Sequence, residues 1–341
     1  MKNQFLSSKK SVLRIVLAVF VCLWGMNGLL AQTAVLQHEG ERTVFYGSDS
    51  FIAAYNAAVD EDVITLSEGC FNCSYISKSI NIHGAGAYED AEDGRFATIF
   101  VSNNQTIIGN NSSPIIEGVY FRNTTTLETL ANARFVKCRF SSIIKGSGGN
   151  ANGVHFINCI ILNISLGWNL GYNGQNWIEN MNVVNSVIWG VNGAFAGQNH
   201  VATNSIIRTT DHAVQNITAY NSILIINDDR RPSNTCTFYN CIGVGSSVFE
   251  NSLNSTVIEY DNITDVFPDF MGEDIFNEPF FLDEGIATGF PGTDGTEVGI
   301  HGGFYPYSNR PGYMKVRHCT VGDRTTDDGH LSVDIEVVTE E

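Results

Sequence analysis

Two neighbouring segments, "ATNSIIRTTDH" and "AYNSILIINDDRR", set titratable side chains at matching distances from an Asn. Asp211 and Asp228 stand seven residues after Asn204 and Asn221, and His212 and Asp229 stand eight after them. Arg208 and Arg230 lie close by. If the two segments stack, these side chains converge. Three carboxylates at close range repel one another, and a divalent cation relieves the repulsion. Oxygen ligands select calcium. Asp211, Asp228 and Asp229 are therefore the candidate metal ligands. A carboxylate beside an imidazole and a guanidinium can also move a proton. Arg208, Asp211, His212, Asp228, Asp229 and Arg230 are the candidate catalytic groups. The competing reading is a solvated acidic turn, where Asp commonly sits.

A second set is aromatic. The stretch "SLGWNLGYNGQNWIEN" holds Trp168, Tyr172 and Trp177 among Gly and Asn. Long excursions on a rigid scaffold often carry function. Flat rings beside amides suit a sugar, so these three are the candidate ligand-binding residues. His83, His155, His200 and His301 are scattered singly and read as structural. The "CFNC" pair, Cys70 and Cys73, could form a local bridge or half a metal site. No second Cys-x-x-Cys exists to complete a zinc centre. No phosphate loop, nucleophile elbow or zinc-protease motif occurs.

These residues must be positioned by a repeat. An Asn-Cys or Asn-Ser pair puts its second member at Cys159, Ser186, Ser205, Ser222 and Cys241, at spacings of 27, 19, 17 and 19 residues. "FVKCRFS" adds Cys138 with Lys137 in the Asn place, and "IIEGVYF" is a degenerate earlier copy. The long step is the one that contains Trp168 to Trp177. A period near twenty predicts a solenoid. Helical repeats need a 3.6-residue period and leucine-rich repeats need their own signature; both are missing.

Each copy reads as two short strands meeting at the Asn, which tolerates the left-handed conformation of a sharp bend. Strands are expected through 135–140, 156–161, 183–188, 202–207, 219–224 and 238–243. Alternation points Phe135, Phe156, Val183, Ala202, Ala219 and Phe238 inward, and Phe140, Ile161, Ile188, Ile207 and Leu224 likewise. Cys138, Cys159, Ser186, Ser205, Ser222 and Cys241 form an inward column, and the Asn residues a hydrogen-bonding one. Ile160, Val187, Ile206 and Ile223 then point outward and require a cover, from the C-terminal strands or from a partner.

On these repeats, with the opening segment "DEDVITLSEGCF…ISKSINIHGAG" and the closing segment "GTDGTEVGIHGG", the chain resembles the secreted right-handed parallel β-helix proteins of the pectate-lyase-like superfamily over roughly residues 42–312. The resemblance implies an all-β fold, a single-stranded right-handed parallel β-helix. It leaves activity open, because one fold hosts many functions. Pectate lyases of that superfamily use clustered Asp with an Arg base, and polygalacturonases use Asp residues with a Gly-His-Gly run. This chain has no Gly-His-Gly, and the Asp pair of "INDDRR" lacks the partners, so neither mechanism transfers.

The remaining segments complete the expected organisation. Residues 1–31 read as a secretory signal peptide: a basic start, an apolar run and a small-residue exit at Ala31. Residues 32–62 are an N-terminal cap with one short helix, around which stand Ile52, Ala53, Tyr55 and Ala57, with Asp49 or Ser50 as the N-cap. Residues 63–270 are the β-helix, 271–313 closing turns and 314–341 a hairpin around "TTDDG" or a tail. Charged residues are only 16%, yet the formal net charge is −17. Loss of Lys2, Lys9, Lys10 and Arg14 with the leader makes the mature chain more acidic still. Such a surface repels nucleic acid and anionic membranes. The mature chain has no segment long and apolar enough to span a bilayer. The expectation is a secreted scaffold, in the periplasm or on the surface of a Gram-negative-type bacterium. It binds a polysaccharide or a surface protein without catalysis and requires no cofactor, with calcium the one cation it would take. The alternative is a polysaccharide lyase or glycoside hydrolase with an unrecognised site.

Overall fold

The computed structural model describes residues 32–89, 96–102, 105–147, 149–165, 178–191, 198–209, 214–226 and 235–308, and the backbone of 315–325 and 331–338. Its centre is a right-handed parallel β-solenoid of about 8 turns. One ladder of parallel strands runs from Val63–Leu66 through Asn81–His83, Ile115–Glu117, Arg134–Val136, His155–Ile157, Asn182–Val184, His200–Thr203 and Ile217–Tyr220. A second ladder lies just past the bend and includes Arg139–Lys145, Ile160–Ile161, Val187–Val191, Ile206–Thr209 and Ile223–Ile226. The strands Thr237–Val244 and Leu253–Tyr260 run through both.

The bend is where the repeat placed it. Lys137, Asn158, Asn185, Asn204, Asn221 and Asn240 all have φ between 45° and 53°, the left-handed region that Asn enters most readily of the non-Gly residues. Gly118 takes the same place in the degenerate copy, at φ 65°. The next residue turns inward each time. Cys138, Cys159, Ser186, Ser205, Ser222 and Cys241 are fully buried. A buried hydroxyl needs partners, and the stacking supplies them. Ser205 Oγ donates to Thr203 O at 2.8 Å and accepts from Ser186 N at 3.3 Å, and Ser186 Oγ repeats the pattern with Val184 O and Cys159 N. The inward apolar positions pack in register: Phe135 stacks on Phe156 and Phe121 on Phe140.

A second left-handed corner, at Asn132, Gly153, Asn180, Asn199 and Asn216, lies five residues ahead of the first. Amides bridge its rungs: Asn180 donates to Asn152 at 2.8 Å, and Asn199 donates to Asn180 at 3.3 Å.

The N-terminal end is closed by more than a helix. Strands β1 (Thr33–His38) and β2 (Glu41–Tyr46) form an antiparallel hairpin, and β1 pairs antiparallel with the first rung at Val63–Leu66. Helix α1 (Ser50–Ala57) buries Ser50, Phe51, Ala54 and Tyr55; of the four residues the sequence set around it, Tyr55 is buried and Ile52, Ala53 and Ala57 are exposed. The face starts at Phe51, whose ring meets Phe100 of the core at 4.7 Å, and Ile52 is left 37% exposed. Asp49 is the N-cap but makes no side-chain cap bond; it accepts from Asn72 instead. At the last turn Val248 and Phe249 plug the interior, with Phe249 against Phe238.

The outward aliphatic row is covered, as its chemistry demanded, but not by the C-terminal strands. Ile160, Val187, Ile206 and Ile223 are fully buried under Val266, Phe267, Ile275, Phe276, Phe280, Leu282, Ile286, Val298 and Ile300. This cover lies along the flank of the coil. Residues 291–303 fasten it to the Asn column. Asn185 donates to the carbonyls of Ile300 and Gly302, Asn221 exchanges bonds with Thr293, and Asn240 donates to Pro291 O. Only the Asn240–Asn221 bond, at 3.2 Å, is the rung-to-rung amide contact that the sequence predicted for this column. Asn185, Asn221 and Asn240 direct other bonds to the cover, and Asn158 Oδ1 and Asn204 Oδ1 are buried without a partner among the described residues. The strands Lys315–Thr325 and Leu331–Val338 pair antiparallel, so the last segment is a hairpin.

Candidate functional site

Of the residues singled out for chemistry, Arg208 alone lies within the described residues. Asp211, His212, Asp228, Asp229 and Arg230 lie outside them, and so do Trp168, Tyr172 and Trp177. The calcium site expected from Asp211, Asp228 and Asp229 therefore falls outside them too. Among the described residues no group of three or more His, Cys, Asp or Glu side chains converges. The single histidines have structural roles: His83 meets Glu117 at 3.1 Å, and His301 Nε2 lies 2.7 Å from Pro279 O. Cys70 and Cys73 are not joined, and burial pushes the Cys73 thiol far above its ordinary range.

Arg208 sits three residues after the Cys/Ser column. Trp189, Ile225 and Val244 occupy the same place in their own turns, so the four side chains line one outward row. The Arg208 guanidinium lies 4.9 Å from the centre of the Trp189 ring. Such contacts are attractive, and more so when desolvated. Burial lowers the Arg208 pKa, and no carboxylate of the described residues lies within ion-pair distance of it. The cover supplies the facing wall. Phe270 meets Trp189 at 5.3 Å, and Asp261, Asn262, Ile263, Thr264 and Gly272 complete a cleft of about 550 Å3. Glu278, itself buried, fixes that wall by accepting from the N–H groups of Met271 and Gly272.

A second surface is open. Among the described residues nothing covers the outer face of the first ladder, where side chains remain partly exposed from Asn81 to Thr237. Tyr220 and Tyr239 are register partners there. Their rings stack at 5.0 Å and 9°, and they are 39% and 40% exposed. The same position is Thr203 on the preceding turn and Ser255 on the following one, so the stack ends against small side chains on both sides. Each Tyr immediately precedes a corner Asn, as "AYN" and "FYN". That signal was readable, but the repeat drew attention to the residues after the Asn. Trp189 was missed in the same way, although "VIWG" puts it in the Arg208 register.

No family model, no curated protein and no solved structure matches the chain.

Proposed function

We propose that this protein is a secreted, non-catalytic binding scaffold that holds a glycan on the open face of its first ladder. The reading rests on the stacked, half-exposed Tyr220–Tyr239 pair. Stacked rings on adjacent turns present their next free faces along the coil axis, toward Thr203 and Ser255. A sugar ring that offers its C–H face continues the stack without displacing a large side chain. The neighbouring Thr218 and Thr237 hydroxyls stand on the same face, two residues before the tyrosines, and can exchange hydrogen bonds with ring hydroxyls. A regular solenoid suits this task, because it holds successive contacts at about 4.8 Å.

The test is a panel of immobilised plant, algal and bacterial polysaccharides probed with the purified protein. The expected result is retention by at least one polymer and a loss of about tenfold or more in affinity, which is about 1.4 kcal/mol, for the double variant Tyr220→Ala with Tyr239→Ala. Retention that is unchanged in a correctly folded double variant would remove the basis of this reading.

A further inference from the structure

Beyond the glycan surface, we propose that the cleft between coil and cover is a separate binding site for a small organic acid with an apolar body, its carboxylate seated on Arg208. Four observations support this. The Arg208 side chain is partly withdrawn from water and rests on Trp189, and no described carboxylate lies within 4 Å of it. A carboxylate gives such a guanidinium two parallel N–H···O bonds and offsets its partial desolvation. Trp189, Ile225, Val244, Ile263 and Phe270 give the cleft an apolar side, and Asp261, Asn262 and Thr264 a polar one. A volume of about 550 Å3 lies within the usual range for small-molecule sites.

The walls are also built to keep their shape. On the coil side Gly245, at φ 123°, approaches the Ile226 carbonyl so closely that a Cβ there would lie 2.4 Å from the oxygen. On the cover side buried Glu278 holds the Met271–Gly272 turn. Asp261 is the one acidic residue of the lining. It disfavours a second negative charge, so a monoacid fits better than a diacid. This region differs from the open sheet face: the row through Trp189, Arg208, Ile225 and Val244 belongs to the second ladder and looks toward the cover.

The experiment compares phenylacetate with its neutral isostere phenylacetamide on the full mature chain, by calorimetry and by NMR of the Trp189 indole N–H. We expect saturable one-to-one binding of the acid, binding of the amide at least tenfold weaker, and a shift of the Trp189 resonance. Arg208→Met should lower acid binding to the level of the amide. Tyr220→Ala with Tyr239→Ala should leave acid binding unchanged, which separates this site from the glycan surface. Equal affinity of acid and amide for the wild type would overturn the proposal whether or not the Arg208 variant folds. So would the absence of saturable acid binding, or full acid binding by a folded Arg208→Met.

Discussion

Asn221 joins three parts of the structure, and its replacement separates their energies. The residue is 5% exposed and holds φ 48°. Its amide donates to Thr293 Oγ1 at 3.1 Å, and its carbonyl oxygen accepts from Thr293 N at 3.0 Å and from Asn240 Nδ2 at 3.2 Å. Asn221→Ala removes all three bonds, each worth about 1 kcal/mol net. It also forces a Cβ residue without a compensating polar side chain into the left-handed region, at a cost of about 1 kcal/mol. The expected loss is about 4 kcal/mol. Asn221→Gly loses the same bonds but not the steric cost. After its own entropic penalty of about 0.5–1 kcal/mol it should be milder than Ala by no more than about 0.5 kcal/mol. The assay is urea unfolding followed by far-ultraviolet dichroism, with midpoints compared at equal slope. Thr293 lies in the cover, so the variant should also bind a hydrophobic dye as the row at Ile206 and Ile223 opens. An Ala variant within 1 kcal/mol of wild type, or one milder than Gly, would refute both the energetic role of the corner and its coupling to the cover.

Other perturbations probe other joints. Arg139 occupies the outward row that is aliphatic from Ile160 onward. Its guanidinium is enclosed by Tyr88, Tyr120 and Phe276, with Nε unpartnered. Because a desolvated charge is costly and a thioether packs well on rings, Arg139→Met should fall within about 1 kcal/mol of wild type, whereas Arg139→Ala should cost about 3 kcal/mol through the void it leaves; thermal melts of both variants distinguish these outcomes. Gly302→Ala places a Cβ 1.6 Å from the Glu297 carbonyl, so it should displace the loop that accepts from Asn185 and lower the melting temperature, while Gly289→Ala, with nothing within 4 Å, should not. The His38–Asp62 contact at 2.8 Å ties the β1–β2 hairpin to the first rung. His38 is raised by its bond to Asp62, so its contribution is complete below the ordinary His pKa and is lost as pH rises through the folded value. For Asp62, burial pushes upward but the bonds from Val59 N–H and His38 outweigh it; the lowered pKa gives a contribution present above the ordinary Asp value and lost on acidification through the folded one. Hydrogen exchange of the β1 amides, corrected for intrinsic rates, should show stronger protection near pH 5 than at pH 8, and Asp62→Asn should flatten that difference.

The coil was legible because its rule is local and repeated. An Asn in the left-handed region followed by a small buried residue recurs on nearly every turn, so Cys159, Ser186, Ser205, Ser222 and Cys241 revealed the register without any long-range information. The need for a cover was legible too, since a row of Ile and Val cannot be left in water. Its identity was not, because Val266, Phe276 and Ile300 belong to an irregular segment with no period to align. The helix was legible, but which of its residues are buried was not. Its buried face is set by Phe51 meeting Phe100, a contact between residues far apart in sequence. The second corner was within reach, five residues ahead of the first, since Asn132, Asn180, Asn199 and Asn216 share one residue type, but Gly153 breaks the run. Arg208 was selected for its proximity to Asp211 and His212, which lie outside the described residues; within them its neighbours are Trp189 and the wall of the cover. Turns were compared for titratable side chains alone, so an aromatic partner on the adjacent turn went unnoticed.

The proposal that this solenoid holds a glycan and leaves it intact has one direct test. The direct measurement incubates the protein with a fluorescently end-labelled oligosaccharide of the polymer it retains, and follows bound fraction and chain length together over days, with and without added calcium. Saturable binding that depends on Tyr220 and Tyr239, with the oligosaccharide recovered at its original length, is the expected result. Shortened chains, new reducing ends or unsaturated products that accumulate in proportion to protein would contradict it and identify an enzyme.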